Sequence, residues 1–297
     1  MLDWSFCPAC GEPLAEGAAF CAFCGVDLRR SFPRKRRNKH PWGPWSSLLV
    51  PLASLGLVNV TVALLVLLLT LAEGLEFVAA LNDPVVLFLS TFLEILFVVP
   101  PLLLVKSRTS TSAREALEWL GLPKARRQTG GWKEVLVGVA VGVLMVPLSA
   151  GASLLSEAIN NEIFGPRIVQ RANQYMGGTT TGLFTTSVAE LVLLGLAMFL
   201  VVGPTEELLF RGFTQQGLQH SWGKVAAVVL TALLFTFAHV VPLLLPWEVV
   251  VVYFLPYFAV SLVLGSLMLA RKNDVLACIL AHGTYNTLLL VVNFALS

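Results

Sequence analysis

The stretch Val201-Val202-Gly203-Pro204-Thr205-Glu206-Glu207-Leu208-Leu209-Phe210-Arg211-Gly212 places two acids and a base in an apolar run that begins near residue 184. A helix needs about 20 predominantly apolar residues to cross bilayer hydrocarbon. Ionisable side chains at that depth cost roughly several kcal/mol each unless they pair or act. The run therefore reads as a membrane-spanning helix that carries chemistry.

Composition extends this reading to the whole chain. Its 297 residues are 56% hydrophobic and only 13% charged, with a mean hydropathy of +0.79. These values exclude an ordinary soluble domain. Candidate spans lie at 47–72, 85–105, 134–156, 184–210, 224–241, 249–269 and 275–296. The expected fold is all-α and polytopic, with about seven transmembrane helices, six to eight depending on boundaries. The fourth span is long and the fifth short, so tilting, or a break at Gly203-Pro204, is expected. The first apolar stretch follows a Cys-rich segment and reads as a retained anchor, not a cleaved leader.

Charge sets the orientation. Arg29, Arg30, Arg34, Lys35, Arg36, Arg37 and Lys39 precede span 1, and Lys106, Arg108, Arg114, Lys124, Arg126, Arg127 and Lys133 separate spans 2 and 3. The positive-inside rule makes both segments cytoplasmic, and the same threading puts Arg211, Lys224, Arg271 and Lys272 inside. Of the 20 basic residues only Arg167 and Arg171 fall outside. The run at 29–39 also has the charge of a nucleic-acid-binding arm. Its position beside a span favours contact with anionic lipid headgroups instead.

The first 28 residues form a separate unit. Cys7-Pro-Ala-Cys10-Gly11 and Cys21-Ala-Phe-Cys24-Gly25 are two Cys-x-x-Cys knuckles. That arrangement lets four thiolates converge on one structural Zn²⁺. A cytoplasmic setting disfavours the alternative of two disulfides. So short a segment buries little apolar surface, and metal binding is expected to supply its stability, with Trp4, Phe6, Phe20 and Phe23 packing around it. With all four positions filled by Cys, this metal has no opening for catalysis. Residues 29–46 read as a basic linker broken by Pro33, Pro41 and Pro44, with Trp42 and Trp45 as interfacial anchors.

Between spans 2 and 3, Ala113, Ala116, Leu117 and Leu120 recur at helical spacing beside Arg114, Glu115 and Glu118. A short amphipathic surface helix is expected over 112–122. Residues 157–182 read as the longest external loop, with Gly177-Gly178 suggesting flexibility.

Three clusters carry the candidate chemistry. On a helix Glu207 and Arg211 are four apart and pair, while Glu206 points about 100° away and is left available as a general base. His239 closes span 5 in Phe235-Thr236-Phe237-Ala238-His239, and His282 and Asn286 share one face of span 7. Such a pair can present two donors to one oxygen, while Gly283 permits close helix approach. A lone intramembrane His is usually a packed residue; two, with a Glu pair and an Asn, point to an active site. Glu94 and Glu190 have no identifiable partner and are read as structural, and Cys278 as a small packing residue.

Glu206-Glu207-x-x-x-Arg211, Phe235-x-x-x-His239 and His282-x-x-x-Asn286 resemble, in order and separation, the three motifs of the intramembrane CAAX-prenyl-protease and bacteriocin-processing family, also called the abortive-infection family. The resemblance covers about residues 130–296. It implies an intramembrane endopeptidase in which Glu206 and His239 activate water, His282 and Asn286 stabilise the oxyanion, and Glu207 and Arg211 support the site. The family has also been described as metal-dependent. A zinc protease using Glu206, His239 and His282 therefore stands as an alternative, although no His-Glu-x-x-His or other compact zinc motif is present. From another class, a non-proteolytic scaffold or transporter subunit that recruits a cytoplasmic protein through the N-terminal unit is the competing reading.

The N-terminal unit resembles a short zinc ribbon of bacterial membrane proteins. The expected organisation is a ribbon at 1–28, a linker at 29–46, N-terminal membrane helices with the amphipathic segment at 47–129, and a protease core at 130–297. The expected setting is the bacterial plasma membrane with the N-terminus cytoplasmic. Membrane lipids and a membrane-associated peptide or protein substrate are the expected partners.

Overall fold

The computed structural model describes residues 6, 7, 9–15, 18–28, 40–73, 84–122, 131–180, 187–241 and 245–296. The basic run at 29–39, Trp4, Lys124, Arg126 and Arg127 lie outside the described residues. The chain divides into two compact units, Met1–Pro41 and Trp42–Ser297.

The first unit is two short turns of similar design. Isolated antiparallel bridges join Phe6 to Pro13 and Phe20 to Asp27. In each knuckle a glycine amide reaches back to the first Cys carbonyl, Gly11 to Cys7 at 2.7 Å and Gly25 to Cys21 at 2.9 Å. Gly11 (φ +79°) and Gly25 (φ +70°) both occupy the left-handed region that closes these turns, which favours residues without a Cβ. The small core contains Cys7, Cys21 and Leu28, with Leu14, Ala18 and Val26 against it. The expectation of an aromatic shell is not met among the described residues: Phe6, Phe20 and Phe23 are exposed. The aliphatic residues fill what little interior so short a segment encloses.

The second unit is helical. We label its helices α1 (Pro44–Glu73), α2 (Pro84–Leu93), α3 (Val99–Thr109), α4 (Ala113–Trp119), α5 (Gly131–Phe164), α6 (Pro166–Thr180), α7 (Val188–Trp222), α8 (Lys224–His239), α9 (Trp247–Ala270) and α10 (Leu276–Leu296). A 3₁₀ segment, Glu94–Val98, joins α2 to α3. Among the described residues six stretches are long and apolar enough to cross a membrane, and α8 is a shorter apolar helix in the place of the fifth expected span. Leu49, Leu64, Leu68 and Leu71 on α1 and Leu136, Leu144, Leu154 and Leu155 on α5 are exposed. Such broad apolar surface is suited to lipid, not to water.

The interior is built where α7, α9 and α10 meet. Met145, Leu208, Phe213, Leu264, Met268, Ala277, Cys278 and Ala281 belong to one buried cluster. Val58, Phe97, Leu209, Phe210 and Phe235 form a second. Cys278 is a buried packing residue here, and Glu190 caps α7 in a capping box with Ser187. The amphipathic helix over 112–122 is present as α4, started by a Ser112–Glu115 capping box, with Ala116 and Leu120 fully buried.

Three features differ from the sequence reading. The helix is not broken at Gly203-Pro204: Val202, Gly203 and Leu208 all keep right-handed helical torsions. Pro204 lacks an N–H and its ring crowds the carbonyl four residues back. The wide π turns at Met198–Val202 and Leu208–Gln215 flank this point and keep the chain helical through it. Residues 157–180 are the end of α5 and all of α6, not a loop, because Ile168, Val169 and Ala172 form one face that buries against Val249 and Val252. Trp42 is 3% exposed, whereas Trp45 is 71% exposed. Only Trp45 is placed as an anchor would be.

Candidate active site

The centre of α7 carries two adjacent glutamates with different surroundings. Glu207 is fully buried, and its Oε1 accepts from Arg211 Nη1 at 2.9 Å, one helical turn on. The same oxygen lies 2.8 Å from Nδ1 of His282 on α10. Arg211, also fully buried, donates from Nη2 to Ser261 Oγ at 2.8 Å on α9, and its guanidinium lies 4.7 Å from the centre of the Phe235 ring. A buried ion pair is stable only when its remaining bonding capacity is largely satisfied. The α9 hydroxyl and the α8 ring contribute to that here, while Glu207 Oε2 and Arg211 Nε are buried without a hydrogen-bond partner among the described residues.

Glu206 faces the other way, towards the two imidazoles. Its Oε2 lies 3.8 Å from His239 Nε2 and 3.9 Å from His282 Nε2. Both separations exceed hydrogen-bond length, and Oε2 is buried with no hydrogen-bond partner among the described residues. An unmatched buried carboxylate oxygen is costly and calls for a functional explanation.

The two histidines are oriented through their other nitrogens. His239 Nδ1 lies 2.8 Å from the Phe235 carbonyl, which can only accept, so Nδ1 carries hydrogen. His282 Nδ1 is held in the same way by the Arg211-paired Glu207 carboxylate. In each neutral ring the lone pair is then on Nε2, the atom facing Glu206. The His239 ring sits between Phe235, at 4.3 Å between centroids, and Tyr257, at 4.6 Å. His239 is half-buried at 25% side-chain exposure, and His282 is buried. Asn286 lies one turn beyond His282, its Nδ2 3.7 Å from the Met198 sulfur, a weak acceptor. Close contact of α7 with α10 depends on Gly283, where a Cβ would meet the Phe199 ring at 2.7 Å.

Five of the six expected residues are thus linked through direct or near contacts: Glu206, Glu207, Arg211, His239 and His282. Asn286 adjoins them on α10 but bonds to none of them. Ser261 and Tyr257 complete the surroundings and were missed from the sequence, although Tyr257-x-x-x-Ser261 is a polar pair at helical spacing within an apolar span. Glu94 is close enough to Glu206 for their charges to interact.

The N-terminal unit holds a second polar centre. The ligand sulfurs of Cys7, Cys10, Cys21 and Cys24 lie within 4.8 Å of one another. Cys7 and Cys24 are 3.7 Å apart, Cys10 and Cys21 3.6 Å, and all four are free thiols. A tetrahedral zinc with bonds of about 2.3 Å would separate its sulfurs by about 3.8 Å, so the set fits. Proton affinities within the cluster are spread. Cys21 is lowered to about 7, most strongly by the Cys24 backbone amide, with that of Phe23 adding to it. Cys10 is pushed up to about 12: the Glu12 backbone amide favours its thiolate, but desolvation and the three neighbouring sulfurs outweigh that. Four crowded sulfurs compete for negative charge unless a cation joins them.

Residues 188–288 match the family model described as Rce1-like, type II CAAX prenyl endopeptidase Rce1-like. No curated protein and no solved structure matches the chain. The matched stretch contains Glu206, Glu207, Arg211, His239, His282 and Asn286, and it agrees with the resemblance read from the three motifs. The chain is an integral membrane protein, and its residues 188–288 are similar to the Rce1-like type II CAAX prenyl endopeptidases.

Proposed function

We propose that this protein hydrolyses peptide bonds of membrane-associated substrates with water activated by Glu206 and His239. The observation that carries the reading is the buried, unmatched Glu206 Oε2 facing Nε2 of both histidines at 3.8 and 3.9 Å. Two atoms that share a water at about 2.8 Å each are about 4 Å apart when they subtend a near-right angle at it. Two ligands of a tetrahedral zinc at about 2.1 Å are only about 3.4 Å apart. The observed spacing leaves room for a water between Glu206 and the imidazoles, and the lack of a His-Glu-x-x-His or other compact zinc motif favours that guest over a zinc ion held by Glu206, His239 and His282.

In this reading a proton passes from the water to Glu206, and the hydroxide oxygen attacks the scissile carbonyl carbon. The carbonyl oxygen gains the negative charge, which Asn286 stabilises through Nδ2 and His282 through Nε2–H; His282 does so as the imidazolium, which enters the cycle already protonated and keeps that proton throughout. Glu207 supports the imidazolium of His282, and Arg211 holds Glu207. When the C–N bond breaks, the proton taken from water goes to the leaving nitrogen. Asn286 suits its role because, among the described residues, its donor is engaged only by a thioether.

The four cysteines would hold one structural Zn²⁺, the N-terminal unit would lie in the cytoplasm, and its partner would be a cytoplasmic protein. The setting would be the bacterial plasma membrane. The excess of Lys and Arg before α1 and between α3 and α5 supports the orientation. The test is to incubate purified protein with candidate membrane peptides and detect new termini by mass spectrometry. Cleavage that disappears in His239→Ala, with the variant still folded in detergent, supports the proposal. Identical products from parent and variant would return the chain to the scaffold or transporter reading.

A further inference from the structure

Resting on the site proposed above, we infer that Trp42 is a positioning residue for catalysis, acting through the π-helical turn of α7 that carries Arg211. The indole is 3% exposed, stacks on Phe213 with centroids 4.8 Å apart and planes 13° from parallel, and donates from Nε1 to the Phe213 carbonyl at 2.9 Å. Phe213 and Arg211 belong to the same π segment, Leu208–Gln215.

That segment needs external support. A π turn is rare and survives where neighbours hold its altered backbone register. Thr214 Oγ1 donates to Leu209 O at 2.9 Å from inside the turn, and Gln215 Nε2 donates to Gly265 O at 2.8 Å on α9. On another side the Leu120 carbonyl approaches so closely that a Cβ at Gly212 would collide with it. Trp42, two residues before α1, adds a further contact. Gly217 makes room for it: a Cβ there would lie 2.5 Å from both Nε1 and Cδ1 of the indole and would also strike Ser47 Oγ.

The route to the chemistry is short. Arg211 fixes Glu207 Oε1, and the same oxygen fixes His282 Nδ1. Relaxing the π turn towards α geometry, which winds more tightly per residue, turns Arg211 about the helix axis relative to Glu207. His282 then loses its fixed orientation against Glu206. The effect falls on the chemical step, because none of Trp42, Phe213 and Gly217 has been placed against the reacting atoms.

The experiment uses full-length protein reconstituted in lipid, with kcat and KM measured for a cleaved membrane peptide and the folded fraction counted for each variant. Trp42→Phe keeps an aromatic ring for the stack and removes the N–H. Gly217→Ala leaves Trp42 unchanged and displaces it. Each is expected to lower kcat per folded molecule about five- to tenfold at unchanged KM, the size of one lost buried hydrogen bond. The double variant is expected to be no slower than Gly217→Ala alone, since both act through one contact. Glu206→Gln runs alongside. If it is inactive while Trp42→Phe has parental kcat per folded molecule, the inference is overturned. A Trp42→Phe loss that appears wholly in KM, or wholly in the folded fraction, overturns it as well. If Glu206→Gln still cleaves, the reading of the site fails and the inference falls with it. Should Gly217→Ala fail to fold, Trp42→Phe decides alone.

Discussion

Replacing Arg211 by Met tests whether the buried pair on α7 is the structural support of the site. The guanidinium is fully buried and bonds Glu207 Oε1 at 2.9 Å and Ser261 Oγ at 2.8 Å. Met fills a comparable volume, so the main loss is electrostatic. Among the described residues Glu207 would keep only His282 as a bonding partner. Removing one member of a buried ion pair costs about 3–5 kcal/mol, chiefly because the other charge stays buried. Removing both charges in Arg211→Met/Glu207→Leu relieves that burial. The double variant should therefore recover about 2 kcal/mol or more relative to the sum of the two single losses. Unfolding by denaturing detergent in mixed micelles measures these differences on the full chain. A loss below about 1 kcal/mol for Arg211→Met, or strict additivity in the double variant, would refute the pair's supporting role.

Further outcomes follow from the same geometry. Asn286→Ala should lower kcat about 10²–10³-fold with little change in KM, the usual cost of one lost oxyanion donor, and a change confined to KM would remove it from that role. Gly212→Ala should destabilise the protein by about 1–3 kcal/mol through collision with the Leu120 carbonyl. Gly56→Ala, with nothing within 4 Å of its Cβ, should not, and unfolding of both variants checks the contrast. Full-length protein should bind one zinc. After removal of residues 1–28 the protein should hold substoichiometric metal, still cleave peptide and resist chelator, with folding and membrane content measured in parallel. Retention of about one zinc and chelator-sensitive activity would instead favour a metal site at Glu206, His239 and His282.

Much of the site was legible because helical periodicity is strict. Residues four apart share a face, so the Glu207–Arg211 pair and the outward turn of Glu206 follow from spacing alone. That His239 and His282 share one centre was read from the rarity of such residues in apolar spans and from the three-motif resemblance, since spacing within a helix does not say which helices meet. Ser261 was hidden for that reason: its value lies in α9 packing beside Arg211. The π turns were signalled by Pro204 without being specified, because hydropathy has no information on backbone register. The helix at Pro166–Thr180 was concealed by Gly177-Gly178 and several threonines, and contact of Ile168, Val169 and Ala172 with α9 overrides those weak local preferences. Trp42 reads as an interfacial anchor from composition. Only the tertiary structure shows the Phe213 ring and carbonyl that receive it.

Side-by-side kinetics and unfolding of Glu206→Gln and Glu207→Gln test the central assignment most directly. Among the described residues the Oε2 atoms of both glutamates are buried without a hydrogen-bond partner, but Glu207 is anchored through Oε1 by both Arg211 and His282, whereas Glu206 Oε2 faces the two imidazoles. The account predicts that Glu206→Gln folds with near-parental stability and cleaves at least about 10³-fold more slowly, while Glu207→Gln weakens the fold itself. Parental cleavage by folded Glu206→Gln, measured on a peptide that the parent cuts, would contradict it.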